Sequence, residues 1–194
     1  MKTFAFVALS VIASAAMAAG EVGPASSITI TGSSTQLTSI SDALVKNKAE
    51  GPNAEALQNL ASNAGNVTIS GSSNQTAIIN SLATVSNEAR KSAIAQQNLA
   101  SNVGNVTINA GGKSKQMVTV DDAAVGNFAG ADAIAQQSLS SNVGNVTVGT
   151  SSQTTTVEKM AYVLNSAVGM YSKAVQNISS NNSCSTFTCA NTVR

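Results

Sequence analysis

The chain has 194 residues, and only 10 % of them are charged, against about 25 % in an average globular protein; 10 Lys+Arg and 9 Asp+Glu leave a net charge of +1. That balance gives no electrostatic reason to expect nucleic acid or an anionic membrane surface as a partner. His is absent, which excludes Ser-His-Asp and Cys-His triads and His-ligated zinc, and 4 Phe, 2 Tyr and no Trp make an aromatic-rich core unexpected.

The N-terminus reads as an export signal. Met1, Lys2 and Thr3 form a short positive n-region, Phe4 to Ala15 form a short apolar stretch, and Ala16-Met17-Ala18 is a small-residue cleavage box. The apolar stretch is too short to span a bilayer, and no later segment reaches 18 consecutive apolar residues, so the mature chain is expected to have no membrane span. The short, Lys-led signal has a bacterial character. It points through the periplasm to the cell surface or exterior.

Beyond it the chain repeats itself. Residues 56–69 read ALQNLASNAGNVTI, 95–108 read AQQNLASNVGNVTI and 135–148 read AQQSLSSNVGNVTV, at offsets of 39 and 40, and 174–182 carry a weaker copy, AVQNISSNN. Upstream, Ile28–Gln36 matches Val67–Gln75 at the same offset of 39. The expected organisation is a signal peptide over 1–18, a short segment over 19–27, repeats over 28–66, 67–105, 106–145 and 146–183, and a Cys-containing tail over 184–194. The third repeat carries one extra residue, expected in the turn Gly111–Lys113.

A period of 39–40 residues suits a solenoid whose units stack on their neighbours. V-T-I, I-T-I and V-T-V are β-branched and alternating, so each unit opens with a strand. A Gly-containing turn follows, then short alternating stretches such as Thr76–Ile79 and Met117–Val120. Ala93–Val103 is ambiguous: period 2 puts Ala93, Ala95, Gln97, Leu99, Ser101 and Val103 on one face. A helical stripe through Leu57, Leu60, Ala61 and Ala64 of the preceding unit is the alternative. The strand reading is preferred, which gives an all-β fold: a β-solenoid of four stacked repeats, open-ended and able to polymerise.

Polar residues recur at fixed phases. Gln58, Gln97, Gln137 and Gln176 share one phase; Asn63, Asn102, Asn142 and Asn181 another; Asn66, Asn105 and Asn145 a third; Ser62, Ser101, Ser141 and Ser180 a fourth. Identical amides stacked about 4.7 Å apart can donate and accept along the stack, as in cross-β ladders. Leu60, Leu99, Leu139 and Ile178 supply an apolar ladder beside them. Gly65, Gly104 and Gly144 mark a corner that needs positive φ. Charges do not recur in phase, since Glu55 aligns with Ile94, Ile134 and Lys173. Lys46, Lys48, Lys91, Lys113, Lys115, Asp121 and Asp122 read as outward gatekeepers against premature pairing. The sequons Asn66-Val67-Thr68, Asn105-Val106-Thr107 and Asn145-Val146-Thr147 are better explained as a corner Asn leading into a strand.

Enzyme-like features are sparse. The nearest are Asp121-Asp122 and Thr156 with Lys159, each in one repeat only, and Gly111-Gly112-Lys113 lacks the spacing of a phosphate loop. No catalytic, cofactor or metal site is expected. In an exported chain, Cys184 and Cys189 suggest a local disulfide, with partner recognition or intermolecular cross-linking as the alternatives.

A signal peptide, imperfect 40-residue repeats rich in Asn, Gln, Ser, Ala and Gly, and a closing Cys pair together resemble bacterial functional amyloid subunits of the Fap type, and more distantly the curlins. The resemblance rests on Gln58, Gln97, Gln137, Gln176, Asn63, Asn102, Asn142, Asn181, Asn66, Asn105 and Asn145, and departs in the C-x4-C spacing and the contiguous repeats. It implies a secreted structural subunit that passes an outer-membrane pore, polymerises with itself and works with a nucleator or minor subunit in biofilm matrix or surface adhesion. The alternative expectation is a monomeric extracellular β-solenoid that serves as an adhesin or binding module.

Overall fold

The computed structural model describes residues 27–182 apart from Ser92 and Met170. The signal peptide over 1–18 and the tail with Cys184 and Cys189 lie outside the described residues.

The described chain is a parallel β-solenoid of four turns with five strands in each. Turn 1 holds β1 (Ser27–Ile30), β2 (Ser33–Ser41), β3 (Leu44–Glu50), β4 (Glu55–Leu60) and β5 (Asn63–Ala64). Turn 2 holds β6 (Asn66–Ile69), β7 (Ser72–Asn80), β8 (Thr84–Arg90), β9 (Ile94–Leu99) and β10 (Asn102–Val103). Turn 3 holds β11 (Val106–Ile108), β12 (Lys113–Asp121), β13 (Ala124–Gly130), β14 (Ile134–Leu139) and β15 (Asn142–Val143). Turn 4 holds β16 (Val146–Thr147), β17 (Thr150–Glu158), β18 (Tyr162–Val168), β19 (Lys173–Ile178) and β20 (Asn181–Asn182). Equivalent strands of successive turns pair in parallel, which makes five sheets of four strands, each ordered by turn. The ambiguous segment 93–103 is strand, β9 and β10, and no helix occurs among the described residues.

Alternation sets the inside. Along β7, Ser73, Gln75, Ala77 and Ile79 point inward and are buried while their neighbours are half-exposed. The columns Ile40-Ile79-Val120, Val45-Val85-Val125 and Leu60-Leu99-Leu139 meet in one apolar cluster. A second cluster is all Ala, centred on Ala89, Ala95, Ala129 and Ala135, where the facing sheets of β8 and β9 approach closely. A third joins Ile30, Val67, Ile69, Val106 and Ile108. Each buried aliphatic side chain of Val, Ile or Leu contributes about 1.5–3 kcal/mol. The columns supply the apolar core of the described residues without aromatic side chains.

Corners absorb the irregularity of the repeat. Between Ile108 and Lys113 the third turn has four residues where the second, between Ile69 and Ser72, has two. The sequence expectation of one extra residue here is corrected to two. The next corner compensates: Asp122 and Ala123 stand where turn 2 has Ser81, Leu82 and Ala83. Gly65, Gly104 and Gly144 have φ of 120°, 120° and 121°. A Cβ on Gly104 would overlap the carbonyl oxygen of Gly65 below it, and one on Gly144 that of Gly104. Glycine is required here by φ and by the close stacking of backbone on backbone.

Candidate functional site

The Gln column is a continuous ladder. Gln97 Nε2 donates to Gln58 Oε1 at 2.7 Å, Gln137 Nε2 to Gln97 Oε1 at 2.7 Å, and Gln176 Nε2 to Gln137 Oε1 at 2.6 Å. Gln97 and Gln137 are wholly buried. Parallel, in-register pairing places each amide over its equivalent, so one amide's acceptor meets the next one's donor. The Asn63 column runs in the opposite sense: Asn63 Nδ2 donates to Asn102 Oδ1, Asn102 to Asn142 and Asn142 to Asn181, each at 2.8 Å. Asn105 Nδ2 donates to Asn66 Oδ1 at 2.8 Å and Asn145 to Asn105 at 3.0 Å, on the exposed corner. The Ser column works differently. The hydroxyls of Ser62, Ser101 and Ser141 each donate to a carbonyl of their own turn, Ser101 Oγ to the Leu99 carbonyl at 2.9 Å, and accept the next turn's backbone N–H, Ser141 N at 3.2 Å for Ser101; Ser180 Oγ donates instead to Ser141 Oγ at 3.4 Å. Leu60, Leu99, Leu139 and Ile178 stack in register, with Leu99 and Leu139 fully buried and Ile178 at the open end exposed.

Sequence reasoning missed a fourth amide ladder. Asn47 Nδ2 donates to Asn87 Oδ1 at 2.8 Å, Asn87 to Asn127 at 2.9 Å, and Asn127 to Asn165 at 2.8 Å. Each also donates across the narrow Ala-lined side of the solenoid to backbone carbonyls of the facing sheet: Asn87 to Ala56 and Gln96, and Asn127 to Ala95 and Gln136. A second column in register, Gln36-Gln75-Gln116-Gln153, makes no ladder. Its amides reach sideways, Gln75 Nε2 to the Ser101 carbonyl at 3.2 Å and Gln116 Nε2 to Asn142 Oδ1 at 2.9 Å. The Oε1 atoms of Gln75 and Gln116 are buried and find no partner among the described residues.

Charges are confined to the outside and to neighbouring turns. Glu88 is the one charged side chain among the buried polar residues described, and it is held by Arg90 and by Lys46, the latter at 3.4 Å. Burial by itself raises its carboxyl pKa. The hydrogen bonds and charges of Arg90 and Lys46 outweigh that and hold the group below the ordinary carboxylate value. Asp121 lies in register with Glu158, a like-charge contact relieved by Lys159, whose Nζ donates to Asp121 Oδ2 at 2.7 Å. That contact raises the Lys159 ammonium above its usual value. Lys113 and Lys115 stand exposed opposite uncharged Ser, Thr and Asn residues.

The two ends of the described stack are its chemistry. Every sheet terminates at turn 1 on one side and turn 4 on the other. The inward columns that are fully buried in turns 2 and 3 become partly exposed there: Gln36 and Thr38 at one end, Gln153, Thr155 and Val157 at the other. Among the described residues no helix is long and apolar enough to cross a membrane. Comparison of the chain with protein-family models, with curated proteins and with solved structures finds no match.

Proposed function

We propose that the protein is a secreted structural subunit that polymerises through its end turns into an extracellular cross-β fibre, in the manner of the Fap-type amyloids its sequence resembles. One observation carries this reading. Five parallel sheets and three amide ladders, the Gln58, Asn63 and Asn47 columns, run the length of the described stack and end at its first and last turns, beyond which no described strand pairs. An edge strand with free N–H and C=O groups templates another chain, and a stack of identical amides adds a donor or acceptor to that template. Two ends with the same chemistry give a non-closing association, which is a fibre. The signal-like N-terminus supports export. An outer-membrane pore and a nucleating subunit are the partners this life cycle needs, and biofilm matrix or surface adhesion is the role such a fibre serves.

The test is X-ray fibre diffraction on the purified mature chain after quiescent incubation, with a thioflavin T time course. Self-seeding fibres with reflections near 4.7 and about 10 Å support the reading. A stable soluble monomer of β-type circular dichroism overturns it and leaves the monomeric adhesin or binding module.

A further inference from the structure

The register that stacks turn on turn also says what turn 4 of one copy would meet on turn 1 of the next. Three outward phases are informative because the inner turns differ from the outer ones. At the first, Glu55 and Lys173 occupy the end turns while Ile94 and Ile134 occupy the inner ones. At the second, Leu44 and Tyr162 stand at the ends, with Thr84 and Ala124 between. At the third, Leu57 and Val175 stand at the ends, with Gln96 and Gln136 between. Glu55 and Lys173 are both exposed, and neither has an ion-pair partner among the described residues. Leu44 and Tyr162 are exposed too, at 67 % and 58 %.

Building on the fibre reading, we propose that copies join head to tail, turn 4 of one on turn 1 of the next without a register shift, and that the ion pair Lys173–Glu55 and the contacts Tyr162–Leu44 and Val175–Leu57 select this joint. Each end residue is then matched by the other end and by nothing within its own chain. Neighbouring parallel strands lie about 4.8 Å apart, so in-register side chains stack at that spacing, which brings a Lys ammonium onto a Glu carboxylate and an aromatic ring onto a Leu.

The inward columns demand the same polarity. The Gln ladder leaves Gln58 Nε2 as donor at turn 1 and Gln176 Oε1 as acceptor at turn 4. The Asn47 ladder runs oppositely, with Asn47 Oδ1 as acceptor at turn 1 and Asn165 Nδ2 at turn 4. Head-to-tail stacking joins donor to acceptor in both columns. Head-to-head stacking reverses the strand direction at the joint and brings neither amide column onto its own continuation. Flipping a whole column of amides reverses its sense without changing that result, because each column remains polar from end to end.

The experiment is seeded elongation of the full mature chain at low salt, comparing wild type with Glu55→Lys, Lys173→Glu, the double variant and an equimolar mixture of the two single variants. Each single variant makes every joint a like-charge contact and should elongate roughly fivefold more slowly. The double variant and the mixture restore opposite charges at every joint and should elongate near the wild-type rate, and high salt should erase the differences. Recovery in the mixture also excludes misfolding as the cause of the single-variant defect. Single variants that elongate like a wild type that does form fibres overturn the joint and leave the fibre reading standing; so does a mixture that stays slow. A wild type that never assembles overturns the fibre reading, and the joint falls with it.

Discussion

Asn87 Nδ2 donates to Asn127 Oδ1 at 2.9 Å, and the two residues are 40 apart in sequence. The same Nδ2 lies 2.9 Å from the Ala56 and Gln96 carbonyls of the facing sheet, so one side chain ties two turns and two faces together. Asn87→Asp removes both donors and sets a carboxylate among three acceptor oxygens in a buried site. Stability should fall by about 3 kcal/mol or more at neutral pH. Urea unfolding of the monomer measures it, and partial recovery at acid pH, where the new carboxyl is protonated, distinguishes the charge from a loss of shape.

The two Gln columns should respond differently to one substitution. Gln97→Met strips the acceptor from Gln137 Nε2 and the donor from Gln58 Oε1 in a dry column, and should cost about 2–4 kcal/mol. Gln75→Met removes one long hydrogen bond to the Ser101 carbonyl, which also accepts the Asn63 N–H, together with a buried unpaired Oε1. It should lie within about 1 kcal/mol of wild type. Equal losses in the two variants would mean that the ladder adds nothing beyond ordinary amide burial.

Gly104→Ala and Ala100→Gly form an opposed pair four residues apart. Gly104 combines a φ of 120° with a backbone carbonyl where the Cβ would sit, so alanine there should cost about 2–4 kcal/mol. Ala100 has a φ of 47°, a left-handed conformation that alanine tolerates at about 1 kcal/mol and glycine adopts freely. Release of that strain is offset by the loss of a fully buried methyl group, so Ala100→Gly should lie within about 1 kcal/mol of wild type. Thermal unfolding of both variants tests the assignment of strain, and an Ala100→Gly loss as large as that of Gly104→Ala would refute it.

The Glu88 carboxyl, held below its ordinary value of 4.5 by Arg90 and Lys46, gives a pH dependence of known sign. The unfolded chain binds the proton more tightly than the folded one. The stabilisation is therefore complete above the unfolded pKa and is lost as pH falls through the folded one. Wild type should lose stability more steeply than Glu88→Gln between about pH 5 and pH 3, by about 1 kcal/mol or less because Arg90 and Lys46 are solvent-screened. Parallel curves for the two proteins would show that the cluster contributes nothing.

Much of the stack was legible because columns of identical residues need identical loop lengths. Between Gln58 and Gln97, or Asn63 and Asn102, the offset stays at 39 or 40, and the register follows it. The Asn47 column escaped notice because its last step, Asn127 to Asn165, shrinks to 38 after turn 4 shortens its first corner. A fixed-period comparison slides past it. The five strands per turn were hidden for a related reason. Several corners are turned by residues with no turn signature: Ala61, Ala100, Ser140 and Ser179 all sit at φ of 47–49°.

That this chain repeats, that each repeat opens with a strand and that its amides share phases is legible in the residues alone, since period and β-branched alternation are local and survive without a partner. Which columns become ladders and which turn aside is set by packing across the solenoid. Whether an amide meets its own copy or a corner carbonyl depends on the width of the solenoid at that point, and that width is set by the facing side chains, Ala beside Asn87 and Ile, Val and Leu beside the others. The pairing of Glu55 with Lys173 lies at the same level. The two charges are 118 residues apart and become complementary only when the register gives both one position on successive turns.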